Sequence, residues 1–204
     1  ALKGLWLMVE NHLQKEAVLN ADIAQPVNVW LGVDTGMHRL GFSPAEAQEV
    51  YQSLKDSRNV SDQIVVASHF ACAEDFDSDF TDQQLATLGK TVKAFASDKN
   101  NPLKTSLANS ASILGRSDTH KDWNRPGYMI YGASPFDESQ ENADKLKPVM
   151  TLSSAVISVR NIDAGERVGY SGKWTAERPS TIATIGIGYG DGYPRTAPYG
   201  TPVL

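Results

Sequence analysis

The chain has 204 residues, 41% hydrophobic and 21% charged, with a formal net charge of -5; this suits one large or two modest globular domains. The acidic balance excludes the basic surface that nucleic acid requires, and no apolar run approaches the ~20 residues of a membrane helix. A single cysteine, Cys72, excludes an internal disulfide framework and fits a reducing cytoplasm.

The opening stretch ALKGLWLMVENHLQ has no initiator Met, and its apolar part is too short and wrongly flanked for a signal peptide. It reads as a chain entered midway. From residue 5 to about 134, strand-like runs alternate with helical ones. The predicted strands are LWLMVE, VNVWLGVD, QIVVASHF, KTSLANS and YMIYGAS, apolar through their middles as parallel strands buried on both faces are. Ser43-Pro44-Ala45-Glu46 reads as a capping box with proline at the first helical position. Behind it Ala47, Val50, Tyr51 and Leu54 fall on one helical face. Thr81 to Gln84 repeats the pattern as Thr-x-x-Gln before LATLGKTVKAF.

A polar linker, FDESQENADKLKP, covers 136–148. The segments beyond it, VMTLSSAVISV, GERVGYSGKWTAE and STIATIGIGYGDGYPR, are β-rich with glycine turns. The sequence therefore predicts two domains, an α/β domain over 1–147 and a mostly antiparallel β domain over 148–204. Polar residues of the first half cluster at strand C-terminal ends, where a (β/α)8 barrel places its active site. Only about five βα units are visible, so the expectation is a partial TIM-type barrel or an open sheet.

Several attractive motifs fail. Gly89-Lys90-Thr91 ends like a P-loop, but the required earlier glycine is Gln84 and the stretch is helical. Asp75 to Asp79 lacks the glycine and glutamate of a calcium loop and reads as a solvated acidic loop. The four histidines show no metal spacing, so no metal site is expected. Arg39, after the Thr35-Gly36 turn, is either a bidentate carboxylate clamp or a surface arginine paired with an acid. His69 closes a predicted strand, Asn109 and Ser110 could donate to a phosphate, and Arg125-Pro126-Gly127 sets an arginine before a stiff turn.

Seven stretches in register, VDTGMHRLGF, SHFA, ANSAS, RPGYMIYG, PVMTLSSAVISVR, VGYSGKWTA and IGIGYGDGYPR, resemble alanine racemase, a fold-type III family that uses pyridoxal 5'-phosphate. The resemblance implies an N-terminal (β/α)8 barrel, a C-terminal β domain and a head-to-tail homodimer in the cytoplasm, with alanine as substrate. It implies that Arg39 grips the substrate carboxylate. Ser110 and the N–H groups of Gly127 and Tyr128 would hold the cofactor phosphate, with Asn109 close by. Arg125 would face the pyridine nitrogen, and His69 would link Arg125 to a tyrosine of the partner. That tyrosine matches Tyr170, one of two acid–base groups and the one acting in the partner's site. A free tyrosine titrates near ~10, so as a base it needs a cationic neighbourhood.

Two departures stand out. The family's cofactor lysine sits in a Lys-Ala-Asn-Ala-Tyr-Gly stretch, and no lysine here has such a setting. Many relatives also carry a lysine, often carbamylated, where this chain has Gly32. The expected function is interconversion of L- and D-alanine, supplying cell-wall precursors, by the protein to which this stretch belongs. The alternatives are an inactive truncated racemase or cofactor-binding remnant, and a racemase of broader specificity.

Overall fold

The structure, a computed structural model, describes residues 4–95 and 102–203; the first three residues of ALKGL, Lys3 included, lie outside them. The chain divides into two units, Ala1–Met150 and Thr151–Leu204.

The first unit alternates strand and helix: β1 (Leu7–Val9), α1 (His12–Leu19), β2 (Val27–Gly32), α2 (Pro44–Lys55), β3 (Val60–Ala67), α3 (Phe80–Phe95), β4 (Lys104–Ser106) and α4 (Ser110–Gly115). The strands form one parallel sheet in the order β1-β2-β3-β4. Register fixes its two faces. Val9, Leu31 and Val66 stand side by side, and they are buried with Ala47, Val50 and Leu54 of α2 and Leu88 of α3. This is the helix-covered face. On the opposite face Trp30 meets Trp6 and Trp123, with ring centroids 5.8–6.4 Å apart.

The local signals of α2 hold. The Ser43 hydroxyl accepts from the Glu46 N–H at 3.3 Å, the Glu46 carboxylate accepts from the Ser43 N–H at 3.1 Å, and all four stripe residues are buried. The second cap does not form. α3 starts at Phe80, so Thr81 and Gln84 lie inside it, fully buried. Their side chains bond to other segments of chain: Thr81 donates to the Cys72 carbonyl at 3.4 Å, and the Gln84 amide reaches two strand ends.

The fifth expected strand is also corrected. Residues Tyr128–Tyr131 form a 3-10 turn closed by Gly132 in the left-handed region, φ 79°. The Gly127 and Met129 N–H groups donate to the Ser110 hydroxyl at 3.0 and 3.1 Å, so they are not available to a ladder. A Cβ on Gly132 would lie 1.9 Å from the Lys147 carbonyl oxygen, which fixes glycine there. Among the described residues, the sheet is extended beyond β4 only by a parallel bridge between Ser106 and Trp123.

The second unit contains β5 (Val156–Ile162), β6 (Arg167–Val168), β7 (Trp174–Thr175) and β8 (Ser180–Ile185). β5 pairs antiparallel with β8 and β6 with β7, as the Gly-punctuated sequence predicts. Among the described residues, no helix is long and apolar enough to cross a membrane.

Candidate active site

The C-terminal ends of β2 and β3 open onto a cavity of about 110 Å³, whose lining includes Glu10, Gly32, Asp34, Arg39, His69 and Arg125. Sequence order alone places these groups, because parallel strands deliver their following loops to one edge.

The loop after β2 doubles back on itself. Asp34 N–H donates to Phe42 at 2.8 Å and Phe42 N–H to Gly32 at 3.0 Å. Inside this loop the Asp34 carboxylate accepts from the N–H groups of Gly36 and His38 at 2.9 and 3.0 Å, and bonds His38 Nδ1 at 2.9 Å. Burial pushes the Asp34 carboxyl up, but the N–H groups of His38 and Gly36 and the His38 ring together hold it below the usual carboxylate range. The same bonds keep His38 in the left-handed region at φ 54°. They hold the turn that puts exposed Arg39 at the cavity.

Arg125 reaches the cavity from the segment after Trp123. Its Nη1 donates to the Ser106 hydroxyl and Nη2 to the Ser68 carbonyl at 2.5 Å. Nη2 also faces His69 Nδ1 at 3.4 Å, and the guanidinium lies 5.9 Å over the Trp30 ring. Burial lowers the Arg125 pKa, while the Glu10 charge raises it. No carboxylate among the described residues forms an ion pair with Arg39 or Arg125. Burial also pushes the His69 imidazole down, helped by the charges of Arg125 and Arg39, so a neutral ring is favoured. Arginine has no acceptor; the ring proton therefore belongs on Nε2.

Asn109 caps α4. Its Oδ1 accepts from the Ser112 N–H at 3.1 Å, and its Nδ2 approaches the Phe70 carbonyl at 3.5 Å. Its amide is thus already used within the protein, whereas Ser110 keeps a free donor. The buried Ser110 hydroxyl accepts two N–H groups, and its own proton has no acceptor among the described residues. The Tyr128 N–H likewise donates to no described group, and the space beside Gly127 is open where a Cβ would be. Donors without acceptors beside an open glycine fit a group whose surface is all acceptor oxygens, such as a phosphate.

Tyr170 belongs to the second unit. It sits on a turn whose Gly169, Ser171 and Gly172 have φ of 75°, 61° and 54°, and it is 99% exposed. The structure thus gathers Arg39, His69 and Arg125 at one cavity and pairs Ser110 with Gly127.

Several residues at this edge escape sequence reasoning. Glu10 takes the room that Gly32 leaves; a Cβ on Gly32 would lie 2.7 Å from Glu10 Cγ. Ser68, which lines the cavity, and Thr35, Gln84 and Ser106 are buried polar residues hydrogen-bonded to one another or to Arg125. For Gln84 a signal exists in the sequence. Thr81, Gln84, Leu88, Thr91 and Phe95 fall on one helical stripe, and an amide on a core-facing stripe demands partners.

Residues 1–135 match the family model of the alanine racemase N-terminal domain, and residues 149–204 match that of the C-terminal domain. The catabolic alanine racemase of Pseudomonas putida is 46% identical over 200 residues, covering 98% of this chain and 54% of that protein. Among solved structures, the biosynthetic alanine racemase of Pseudomonas aeruginosa is 43% identical with a TM-score of 0.83, covering all of this chain and 56% of that one. The alanine racemase of Bartonella henselae, solved with covalently bound pyridoxal phosphate, is 30% identical with a TM-score of 0.70, covering 96% of this chain and 52% of that one. The chain spans about half the length of the curated relatives it matches. With both of its domains matched along nearly their whole extent, the chain belongs to the alanine racemase family.

Proposed function

We propose that this chain forms the arginine-bearing part of a pyridoxal-phosphate-dependent alanine racemase, with 1–147 the later part of the barrel and 148–204 the start of the β domain. The observation that supports it is the strand-end cavity that presents Arg39 and Arg125 with no carboxylate paired to either among the described residues. Two guanidinium groups in that state favour an anionic, planar ligand.

In this reading Arg39 takes the carboxylate of alanine bidentately and so holds the α-carbon between the two proton-transfer groups. The Ser110 hydroxyl and the Tyr128 N–H hold the cofactor phosphate, joined by the Gly127 N–H once it turns from the Ser110 oxygen to the ligand, with Asn109 shaping the segment before them. Bound pyridoxal phosphate supplies the electron sink that makes the α-proton removable. Arg125, cationic and a donor only, would hold the pyridine nitrogen and disfavour its protonation. That tempers the sink and disfavours side reactions such as transamination. His69, neutral with its proton on Nε2, can donate toward a phenolate oxygen. Tyr170, carried on an exposed turn, acts as one of the two proton-transfer groups in the site of a second copy, in a head-to-tail homodimer. The enzyme works in the cytoplasm, and its D-alanine feeds cell-wall precursors.

The test is chiral analysis of alanine after incubation of L-alanine with the complete protein and pyridoxal phosphate. D-alanine is expected to accumulate until the two enantiomers are equal. The 204-residue polypeptide by itself is expected to racemise nothing, because no lysine in it stands in the family's cofactor-lysine stretch. Failure of the complete protein to racemise alanine overturns the reading. Faster turnover of serine or lysine than of alanine assigns it to a broader-specificity branch.

A further inference from the structure

Gln84 is fully buried in the first turns of α3, in contact with neither solvent nor the cavity. Its amide makes three hydrogen bonds to two stretches of chain, the loop after β2 and the segment after β3. Nε2 donates to Thr35 Oγ1 at 3.2 Å and to the His69 carbonyl at 2.9 Å, and Oε1 accepts from the Ala71 N–H at 2.9 Å. Thr35 Oγ1 in turn shares a 2.7 Å hydrogen bond with the Ser68 hydroxyl, and the Ser68 carbonyl accepts from Arg125. The same turn of α3 presses on the β2 loop. A Cβ on Gly36 would lie 2.9 Å from the Phe80 ring and 3.7 Å from Gln84 Cγ. The loop carrying Arg39 and the strand end carrying His69 therefore share one buried support.

From this juxtaposition we propose that Gln84 is a positioning residue, setting Arg39 against His69 and Arg125 through Thr35 and the His69 carbonyl. The inference deepens the racemase reading and rests on it for the role of Arg39. A buried amide with every donor and acceptor matched has one low-energy orientation. The three segments it joins cannot shift independently without leaving a buried polar group unpaired. Catalytic geometry is sensitive to displacements of about 1 Å, so rigidity at this node bears directly on the clamp.

The test uses Gln84→Met, near-isosteric but without the amide, and Thr35→Val, which removes only the hydroxyl spoke, in the complete protein loaded with its cofactor. Two readouts are taken: KM and kcat for alanine, and the Kd of propionate, an alanine without its amine, by calorimetry. Each variant is expected to raise KM and the propionate Kd in parallel by about tenfold, the effect of ~1.4 kcal/mol, with kcat changing less than about threefold. The double variant is expected to fall short of the product of the two single effects, since both break the Gln84–Thr35 bond. A lower Tm with KM and Kd unchanged makes Gln84 a structural residue only and overturns the proposal; so do effects that simply add. A wild-type protein that binds propionate but does not racemise alanine refutes the functional reading alone, and the propionate series then still decides the role of Gln84. Absence of propionate binding by the wild type overturns both.

Discussion

Ser110 is the position where removing a single atom tests the proposed phosphate site most cleanly. Its hydroxyl accepts from the Gly127 and Met129 N–H groups at 3.0 and 3.1 Å and keeps its own proton unpaired among the described residues. Ser110→Ala removes one donor to an incoming phosphate and loosens the segment that carries the Gly127 and Tyr128 donors. A hydrogen bond to a charged group contributes ~1.5–3 kcal/mol, which corresponds to an affinity loss of about 10- to 150-fold. The assay is a titration of the complete apoprotein with pyridoxal phosphate, followed by the cofactor's absorbance. A parallel titration uses pyridoxal, which has the ring and aldehyde but no phosphate. The expected result is a weaker Kd for pyridoxal phosphate and an unchanged Kd for pyridoxal. Equal weakening of both would show that the substitution acts by disordering the fold. No change in either would remove Ser110 from the phosphate site.

Tyr170→Phe in the complete enzyme should slow proton removal on the tyrosine face selectively, so that isotope washout from L- and D-alanine becomes unequal; equal losses would count against the assignment. His69 titrates below its ordinary value in the folded state, so below ~6.5 the unfolded chain binds a proton that the native site resists. Its contribution to stability is therefore present above that pH and is lost as pH falls through the folded value. Urea midpoints of the complete protein should drop on acidification in this window, and His69→Asn should flatten the slope; an unaltered slope excludes His69 as its source. Gly32→Ala should cost ~1–3 kcal/mol by overpacking against Glu10, and adding Glu10→Ala should recover most of it in the urea midpoint. Strictly additive effects of the two changes would show that Glu10 does not occupy that space.

Legibility of the fold followed the range of the interactions involved. The Ser43–Glu46 box was readable because its two partners lie three residues apart, and the stripe of α2 because its helical spacing is written within the helix itself. YMIYGAS misled because a four-residue apolar run has no period long enough to separate strand from turn. What decided it was a hydroxyl 17 and 19 residues away. Thr81 and Gln84 misled in a related way. Their spacing fits a cap, but Thr81 bonds the Cys72 carbonyl of the loop after β3 and Gln84 reaches residues that follow β2 and β3, one of them 49 residues distant. Arg39, His69 and Arg125 could be proposed from position alone, since a parallel sheet sends every following loop to the same edge. The polar residues beneath them, Ser68 and Ser106, carry no local pattern and emerge only from the packed sheet.

That packing also explains how an acidic chain offers a cationic cavity. The overall charge of -5 is spread over the surface, whereas the field inside a concave, partly buried site is set by the few charges that line it. Of its two carboxylates, Asp34 already accepts from the Gly36 and His38 N–H groups and the His38 ring, so its charge is largely compensated locally. His69 is held neutral. What remains is Arg39 and Arg125 against Glu10, and Arg125 keeps its charge while burial works against it. Removing a cation from water is costly unless something anionic or electron-rich completes its shell. The neutral acceptors now bonded to Arg125, the Ser68 carbonyl and the Ser106 hydroxyl, orient the guanidinium without neutralising it. An aromatic nitrogen at Arg125 would complete the shell of the buried cation, and a ligand carboxylate would pair with exposed Arg39, which has no carboxylate partner among the described residues, so the site favours that class of ligand.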